Sequence, residues 1–516
     1  MSYSRFVAAQ RHNNPCLAGL ENFLSDPNSD QRPCRILKLD FPVDTKSPHL
    51  SSAQQIDIED IAETIYASKP KGHGQILFIE DLCPDIIEIL GTRYQIDPLF
   101  FASHLHAPFR QIDAQTPNLA ILPSRTRKQN FINLHYHRAV ELRGKVENEN
   151  MLIRDMNVNR KVAVLVPTEG TQIALVQHAC SVIVFGEKDA SRGWLCIILV
   201  DGPIFADHTP VQYKTKPQEF SDDKELQLRR SCRVKSKLFL NGYEDFMPPE
   251  PGSLDFKDPS AFRGPPRESL LADLIYYWKR QIPEDFNAEH PTLFSLAYYP
   301  LKIIAAEWNN YLAAMSYHIK RHEYAVETIG KPVSELDKLN VDLRSLQVWR
   351  RRSLASQQKI TAVKRFVALH RPCSDRTNDD ESKDTDVACE TPATGLLEDY
   401  DHLAAALDDL SFRLGNMLPV VTSLVQISDS RRSLAESANV SRLTSLAFIF
   451  VPLTFTTGLF SMNNENGPGG AYFWVFFAVS VPITLLVFLV ARPPSRLLRW
   501  LSARVRPALR AAYPPV

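Results

Sequence analysis

Two long uncharged stretches near the C-terminus constrain the fold of this chain most strongly. Residues 443–460 (LTSLAFIFVPLTFTTGLF) and 471–491 (AYFWVFFAVSVPITLLVFLVA) contain no Asp, Glu, Lys, Arg or His. A helix rises about 1.5 Å per residue, so even the shorter stretch spans about 27 Å, close to the thickness of the hydrocarbon core. A buried hairpin of a soluble core would rarely lack every charge in two such runs. We therefore predict an integral membrane protein with transmembrane helices at 443–460 and 471–491.

The distribution of arginine predicts the orientation of these helices. Residues 492–516 contain six arginines and no acid, whereas the connecting loop 461–470 contains no Lys or Arg and one acid, Glu465. Positive residues favour the cytosolic side of a membrane. We therefore expect a multi-pass protein with both termini in the cytosol and 461–470 as an outer loop. The N-terminus holds no apolar run typical of a signal peptide, and the plasma membrane is favoured over an organelle.

Composition restricts the possible functions of the rest of the chain. The 516 residues are too many for one hydrophobic core, and 59 Lys and Arg balance 59 Asp and Glu. A balanced charge argues against nucleic acid as a partner. The eight cysteines form no Cys-x-x-Cys pair, so a zinc ribbon is not indicated. Neither a Gly-rich phosphate loop nor a nucleophile elbow is present, and we expect no enzyme activity.

Changes in hydrophobic period divide the chain into segments. Short apolar runs such as 75–80, 131–137 and 194–200 alternate with helical patterns such as 84–96, which predicts an α/β cytosolic domain at 1–265. The remaining predicted segments are a cytosolic helical region at 266–370, an acidic flexible insertion at 371–394, a stalk helix at 395–442 and a basic cytosolic tail at 492–516.

A motif at the end of the first apolar stretch carries a family resemblance. Phe450–Phe455 reads FVPLTF, and Gly458–Asn463 reads GLFSMN, directly before the second apolar stretch. This arrangement resembles the CorA-type divalent-cation transporters, which have Gly-Met-Asn at this point. A looser similarity covers the N-terminal domain at 90–104. Residues 398–402 (EDYDH) are similar to the start of the family's stalk helix.

The resemblance implies an architecture and a set of partners. It implies a funnel-shaped homopentamer in a lipid bilayer, with an α/β cytosolic domain, a long helical stalk and two C-terminal transmembrane helices. The first transmembrane helix would line the pore and the second would form an outer ring. Divalent cations, with Mg²⁺ as the expected ion, would be cargo or regulators, and no other cofactor is implied.

Spacing predicts which side of the first transmembrane helix would face the pore. Six residues recur every three or four positions and therefore share one helix face. They are Val440, Leu443, Ala447, Val451, Thr454 and Gly458. An apolar stripe of this kind suits a constriction that closes by dewetting. The alternative is that the stripe packs against neighbouring helices, since small residues also favour close contact.

The turn at Ser461, Met462 and Asn463 is the candidate selectivity site, with Glu465 as a nearby outer-loop acid. Mg²⁺ usually keeps its waters, and amide oxygens can accept hydrogen bonds from them. Alternatively, Asn463 is only a helix cap. Ser461 stands where the family has Gly, whose missing Cβ permits close approach. The serine therefore favours a second hypothesis, in which the chain is a membrane-anchored sensor or scaffold without conduction.

Acids and histidines supply the remaining candidate metal ligands. The resemblance suggests an inhibitory cation site at Glu398, Asp399 and Asp401, although acids at a helix start also favour its dipole. The pairs His104 with His106, His135 with His137 and His318 with His322 share local faces. Since no Cys or carboxylate completes these pairs in the sequence, we do not predict metal binding there.

Overall fold

The computed structural model divides into two compact units. It describes residues 2–25, 34–41, 53–58, 60–61, 74–106, 122–126, 129–143, 151–154, 156–165, 172–186, 193–203, 208–211, 235–248, 264–327, 336–370, 391–461 and 473–491. The first unit comprises 1–327 and 344–418, and the second comprises 328–343 and 419–516. Residues 462–470 of the predicted loop 461–470, the tail 492–516 and most of the acidic insertion lie outside the described residues.

A mixed sheet forms the centre of the first unit. Its described strands are β1 Arg35–Phe41, β2 Gln54–Ile56, β3 Gly74–Glu80, β4 Phe131–Arg143, β5 Met151–Arg154, β6 Lys161–Val164, β7 Gln172–Phe185, β8 Leu195–Val200, β9 His208–Val211 and β10 Lys235–Leu238. Their order is β2-β1-β3-β8-β7-β6-β5-β9, and β4 pairs with both β7 and β10. The pair β3 and β8 is parallel, and the other described pairs are antiparallel.

Burial explains why β3 and β8 read as continuous apolar runs. Every residue of both strands is buried, as expected for strands covered on both faces. On one face, the core includes residues of β1, β3, β8 and the first four helices. These are α1 Tyr3–Arg11, α2 Ala18–Ser25, α3 Pro84–Tyr94 and α4 Pro98–Leu105, and a short α5 follows at Pro123–Thr126.

Local sequence sets the ends of the helices on this face. The predicted helix 84–96 is observed as α3, with proline at its first position. It ends before Gln95, whose left-handed backbone has a φ of 48°. Asp97 caps α4 by accepting a hydrogen bond from the Leu99 backbone N–H at 3.0 Å.

Longer helices complete the first unit. They are α6 Leu270–Arg280, α7 Leu293–Glu327, α8 Leu336–His370 and α9 Pro392–Phe460, of which α8 and α9 also contribute to the second unit. Aromatic rings of α6, α7 and the sheet pack together, with Trp278 lying 5.4 Å from Tyr299 and 5.7 Å from Phe41 between centroids. Such ring pairs add to the stabilisation from apolar burial.

The first part of α9 carries a seam of buried residues. They recur at intervals of three or four residues, which is the spacing of helices that pack lengthwise. The buried residues are Leu396, Tyr400, Leu403, Leu407, Leu410, Leu414 and Leu418. The Tyr400 hydroxyl donates a hydrogen bond to the Leu301 carbonyl oxygen of α7 at 2.9 Å. The seam explains how this part of the predicted stalk is held within the first unit.

The described part of the second unit contains the apolar end of α9 and a last helix, α10 Phe473–Ala491. The predicted stretch 443–460 is helical and continuous with the rest of α9, although Pro452 lies within it. The structure therefore confirms the predicted fold class, which is an α/β domain followed by long helices and C-terminal apolar helices.

Candidate functional site

The apolar end of α9 lacks the burial expected of a soluble core. By length and composition α9 can cross a membrane, because its most apolar 18-residue window has a mean hydropathy of 1.7. Only 11% of that window is buried. A shorter apolar helix spans Phe473–Phe488. Contiguous exposed apolar surface of this kind is typical of contact with lipid or with other chains.

The two apolar helices touch along one side of α9. The rings of Phe460 on α9 and Phe476 on α10 are 5.9 Å apart and nearly perpendicular. Pro452 and Thr456 lie on the same side at four-residue intervals, and both are buried. Ser480 of α10 is also buried, with 1% exposure. These residues define the α10-facing side of α9.

The six predicted pore-lining residues lie on the opposite side of α9. At about 100° per residue, their mean direction is roughly 180° from that of Pro452, Thr456 and Phe460. All six are exposed, including Val440 at 60%, Leu443 at 67% and Val451 at 64%. We call this surface the free face of α9. Its position agrees with the spacing argument, and its role in a pore stays a prediction.

Hydroxyl groups in this stretch are satisfied within the helix. The Thr454 hydroxyl donates to the Phe450 carbonyl oxygen at 2.9 Å, and the Thr456 hydroxyl donates to the Pro452 carbonyl oxygen at 3.0 Å. Back-bonding of this kind spares the cost of an unpaired donor in an apolar medium. The stretch is therefore compatible with a bilayer despite its threonines.

The candidate selectivity turn is described only at its first residue. Ser461 follows the end of α9, and its backbone N–H donates to the Thr457 carbonyl oxygen at 2.9 Å. Met462, Asn463 and Glu465 lie outside the described residues. Their roles stay predictions.

The candidate regulatory acids have partners within the same chain. Asp399 pairs with Lys302 of α7, and Asp401 pairs with Lys364 of α8. Glu398 is exposed. Among the described residues, no group of three His, Cys, Asp or Glu side chains is placed to hold a metal ion. The role of these acids in binding a regulatory cation stays a prediction.

A buried polar cluster in the first unit joins three segments that the sequence did not connect. Arg160 forms a two-point ion pair with Asp201, with N–O distances of 2.8 and 3.0 Å. Its guanidinium also donates to the carbonyl oxygens of His104 and His106. Asp201 accepts a third hydrogen bond, from the Ala179 backbone N–H at 2.8 Å. Arg160 and Asp201 thus tie the end of α4 to β7 and to the residue after β8.

His104 belongs to this cluster as a neutral side chain. Burial lowers the pKa of His104 to about 3, and this effect outweighs the attraction of Asp201. Its Nδ1 lies 2.9 Å from the Ser181 hydroxyl, which accepts a hydrogen bond from the Asn133 amide at 2.7 Å. The position of His104 is therefore structural.

A second buried ion cluster fixes α6 and α7 against β4. Arg138 lies 2.7 Å from Glu307 of α7 and 3.8 Å from Asp273 of α6. Burial raises the pKa of both acids, and Arg138 opposes the shift. Asp273 also accepts a hydrogen bond from the Arg267 backbone N–H at 2.6 Å. No local pattern in the sequence indicates this cluster, because its members are distant along the chain.

A comparison with known protein families matches the helical part of the chain. Residues 269–492 match the family described as "CorA-like Mg2+ transporter protein". The family so described is a class of membrane metal-ion transporters rather than of enzymes. Over the residues that it covers, this match confirms the family resemblance seen in the sequence.

Two solved structures are similar to most of the chain. The first is "The complete structure of CorA magnesium transporter from Methanocaldococcus jannaschii", with 12% identity, a TM-score of 0.35, and coverage of 89% of this chain and 98% of that one. The second is "structure of the full-length CmaX protein", with 12% identity, a TM-score of 0.35, and coverage of 90% and 98%. No curated protein matches the chain.

Proposed function

We propose that this chain passes hydrated divalent cations, with Mg²⁺ as the expected ion, through a pore lined by the free face of α9. The observation that carries this proposal is the division of α9 into two sides. One side contacts α10, and the six residues predicted to line the pore lie on the other. An inner helix of a channel needs this division, since its two sides have different neighbours.

Energetics support assembly of several chains. In one chain the free face exposes large apolar side chains such as Leu443 and Val451. Two helices cannot enclose an aqueous path, so conduction requires several copies of the chain. The family resemblance implies five. In this arrangement the copies would surround a narrow apolar pore, while α10 faces lipid.

Ion selection in this proposal takes place at the outer turn. The side-chain amide of Asn463 is uncharged and would accept hydrogen bonds from the waters around the ion. A hydrated ion could therefore both enter and leave the turn. Ser461 adds a Cβ and a hydroxyl where the family has Gly, which narrows the turn. The arginine asymmetry supports both termini in the cytosol and Glu465 on the outer side.

We also propose that divalent cations regulate the pore by binding near the start of α9. Glu398, Asp399 and Asp401 would bind divalent ions between chains and hold the pore closed. Because Asp399 and Asp401 already pair with lysines, an ion would have to displace Lys302 and Lys364. We therefore expect such a site to act only at high cation concentration.

Chemical modification of an introduced cysteine tests whether the free face of α9 lines the pore. We expect liposomes containing the purified protein to take up Mg²⁺, and a charged thiol reagent to reduce uptake severalfold in Val451→Cys. The reagent would place charge inside the pore, where a narrow apolar path tolerates it poorly. Mg²⁺ uptake is measured with an indicator dye inside the liposomes.

Thr456→Cys is the matched control, because Thr456 lies on the α10-facing side and is buried. Wild type treated with the reagent gives the background from native cysteines. Equal block at both positions would refute the assignment of the free face. No uptake by wild type would instead favour the sensor or scaffold hypothesis.

The oligomeric state provides a separate test. We expect the mass of the protein in mild detergent to correspond to five chains, since the free face requires partners. Native mass spectrometry or light scattering measures it directly. A monomer that still carries Mg²⁺ would contradict the proposed pore.

A further inference from the structure

One face of β4 carries two histidines beside α4. Asn133 belongs to this face, because its amide donates to the Phe100 carbonyl oxygen of α4 at 3.1 Å. His135 and His137 follow at steps of two, so they share the face. Both side chains are half-buried, and the His137 ring is stacked on Tyr311 of α7 with centroids 5.5 Å apart.

Tyr311 also connects this face to α8. Its hydroxyl accepts a hydrogen bond from the Ser356 hydroxyl at 3.2 Å, and its ring lies 6.2 Å from that of Trp349. Arg352 lies over the Trp349 ring, 5.3 Å from its centroid. Lys359 shares a helix face with Arg352 and Ser356, because the three are spaced by four and three residues. This side of α8 therefore lies near His137.

The charged side chains with the largest effects on the pKa values of the two histidines are positive. Lys359, Arg352 and Lys161 act on His137, and Lys359 and Arg160 act on His135. Of these cations, Arg160 has a carboxylate partner, Asp201. Within the described part of the chain, no ion pair links an acid to Lys359, Arg352 or Lys161. Burial, with a smaller contribution from Arg160, lowers the pKa of Lys359 to about 8.

Two histidine nitrogens near these cations also lack partners. The Nδ1 of His137 and the Nε2 of His106 are buried and make no hydrogen bond to the described residues. Lys359 lies close enough to His106 to act on its charge. Burial lowers the pKa of His106 to about 4, and it lowers that of His137 well below its usual value. Buried polar atoms normally have partners, so unpaired nitrogens beside unpaired cations indicate a missing ligand.

We propose that a group of side chains around Tyr311 binds a small soluble anion bearing phosphate, with Lys359, Arg352 and Lys161 supplying charge and His137 and His106 supplying N–H donors. A phosphate group carries nearly two negative charges and three acceptor oxygens, which suits several cations and donors at once. A lipid headgroup fits poorly, because the two histidine nitrogens are buried rather than on an open surface. This inference is independent of conduction.

A metal ion is the main competing ligand, since neutral histidines often bind metals. Lys359, Arg352 and Lys161 would repel a divalent cation, and the described residues contain no group of three metal-ligating side chains. The site therefore selects against the ion that the pore would carry.

Calorimetric titration of the purified full-length protein tests the proposal. The probes are inorganic phosphate and pyrophosphate at constant ionic strength, with vesicles of phosphatidic acid as a separate arm. We expect one saturable site per chain for pyrophosphate, and Lys359→Gln should weaken its affinity about tenfold or more. Without ligand, Lys359→Gln should melt no lower than wild type, because it removes a partly buried cation without a carboxylate partner.

Arg365→Gln is the matched control, because Arg365 is an exposed cation of the same helix. It lies six residues, or about 240° around the helix, from Lys359, so its loss should leave affinity unchanged. Flat titrations of wild type with both soluble probes would overturn the proposal. So would equal affinities of Lys359→Gln and wild type, or binding of the vesicles alone. Equal loss of affinity in both variants would indicate a diffuse charge effect and would also overturn it.

Discussion

Replacing Asn463 by Ala is expected to lower Mg²⁺ uptake by at least about tenfold, which corresponds to about 1.4 kcal/mol or more in the barrier to passage. In the proposed pore, the Asn463 amide receives hydrogen bonds from the waters of the ion, and Ala cannot replace them. Truncation of a residue in an exposed loop usually changes stability little. Uptake into liposomes and mass in detergent should therefore separate a conduction defect from an assembly defect.

Asn464→Ala provides a matched control, since it removes the same group one position later. It should retain most of the uptake. Ser461→Gly restores the family's residue and should increase uptake if the extra Cβ narrows the turn. If Asn463→Ala and Ser461→Gly both conduct like wild type, the turn does not select the ion.

The long helices could be predicted from the sequence because their signals are local. Residues 443–460 lack every charge, and a repeat of three and four residues continues from Leu396 onward. A helix satisfies its own backbone groups, so a run of apolar residues predicts it without knowledge of distant partners. Even Pro452 does not break α9, since a proline within an apolar helix can be accommodated by its neighbours.

The strands could be predicted only in part, because polar residues within them have distant partners. The run 131–137 predicts a strand, yet β4 continues to Arg143. Arg138 ends the apparent pattern in the sequence, although its buried side chain lies beside Glu307. A charged residue within a strand is normally read as exposed, and only the folded chain supplies the acid that permits its burial.

The Arg160–Asp201 cluster was missed for the same reason. The one local signal is the position of Asp201 directly after the fully apolar β8. An acid at the end of a buried strand often has a buried partner, but the sequence does not identify it. The free face of α9 was predictable from spacing, whereas its division from the α10-facing side required the contact between Phe460 and Phe476.

We expect the largest effect on stability at the Arg160–Asp201 cluster. Asp201→Asn should lower the free energy of unfolding by about 3–5 kcal/mol, the usual cost of removing one partner of a buried ion pair. The Arg160 guanidinium would remain buried without a counter-charge, and the new amide group would face it with donors. Chemical denaturation of the full chain, followed by intrinsic fluorescence, measures the change.

Asp40→Asn is the control, because Asp40 and Lys38 form a partly exposed pair at 2.9 Å. Asp40→Asn should lower the free energy of unfolding by no more than about 1 kcal/mol. Asp201→Leu combined with Arg160→Met removes both buried charges and should be less destabilising than Asp201→Asn alone, since neither charge is left unpaired. Equal costs for Asp201→Asn and Asp40→Asn would mean that the three hydrogen bonds to Asp201 contribute little to the stability of the α/β domain.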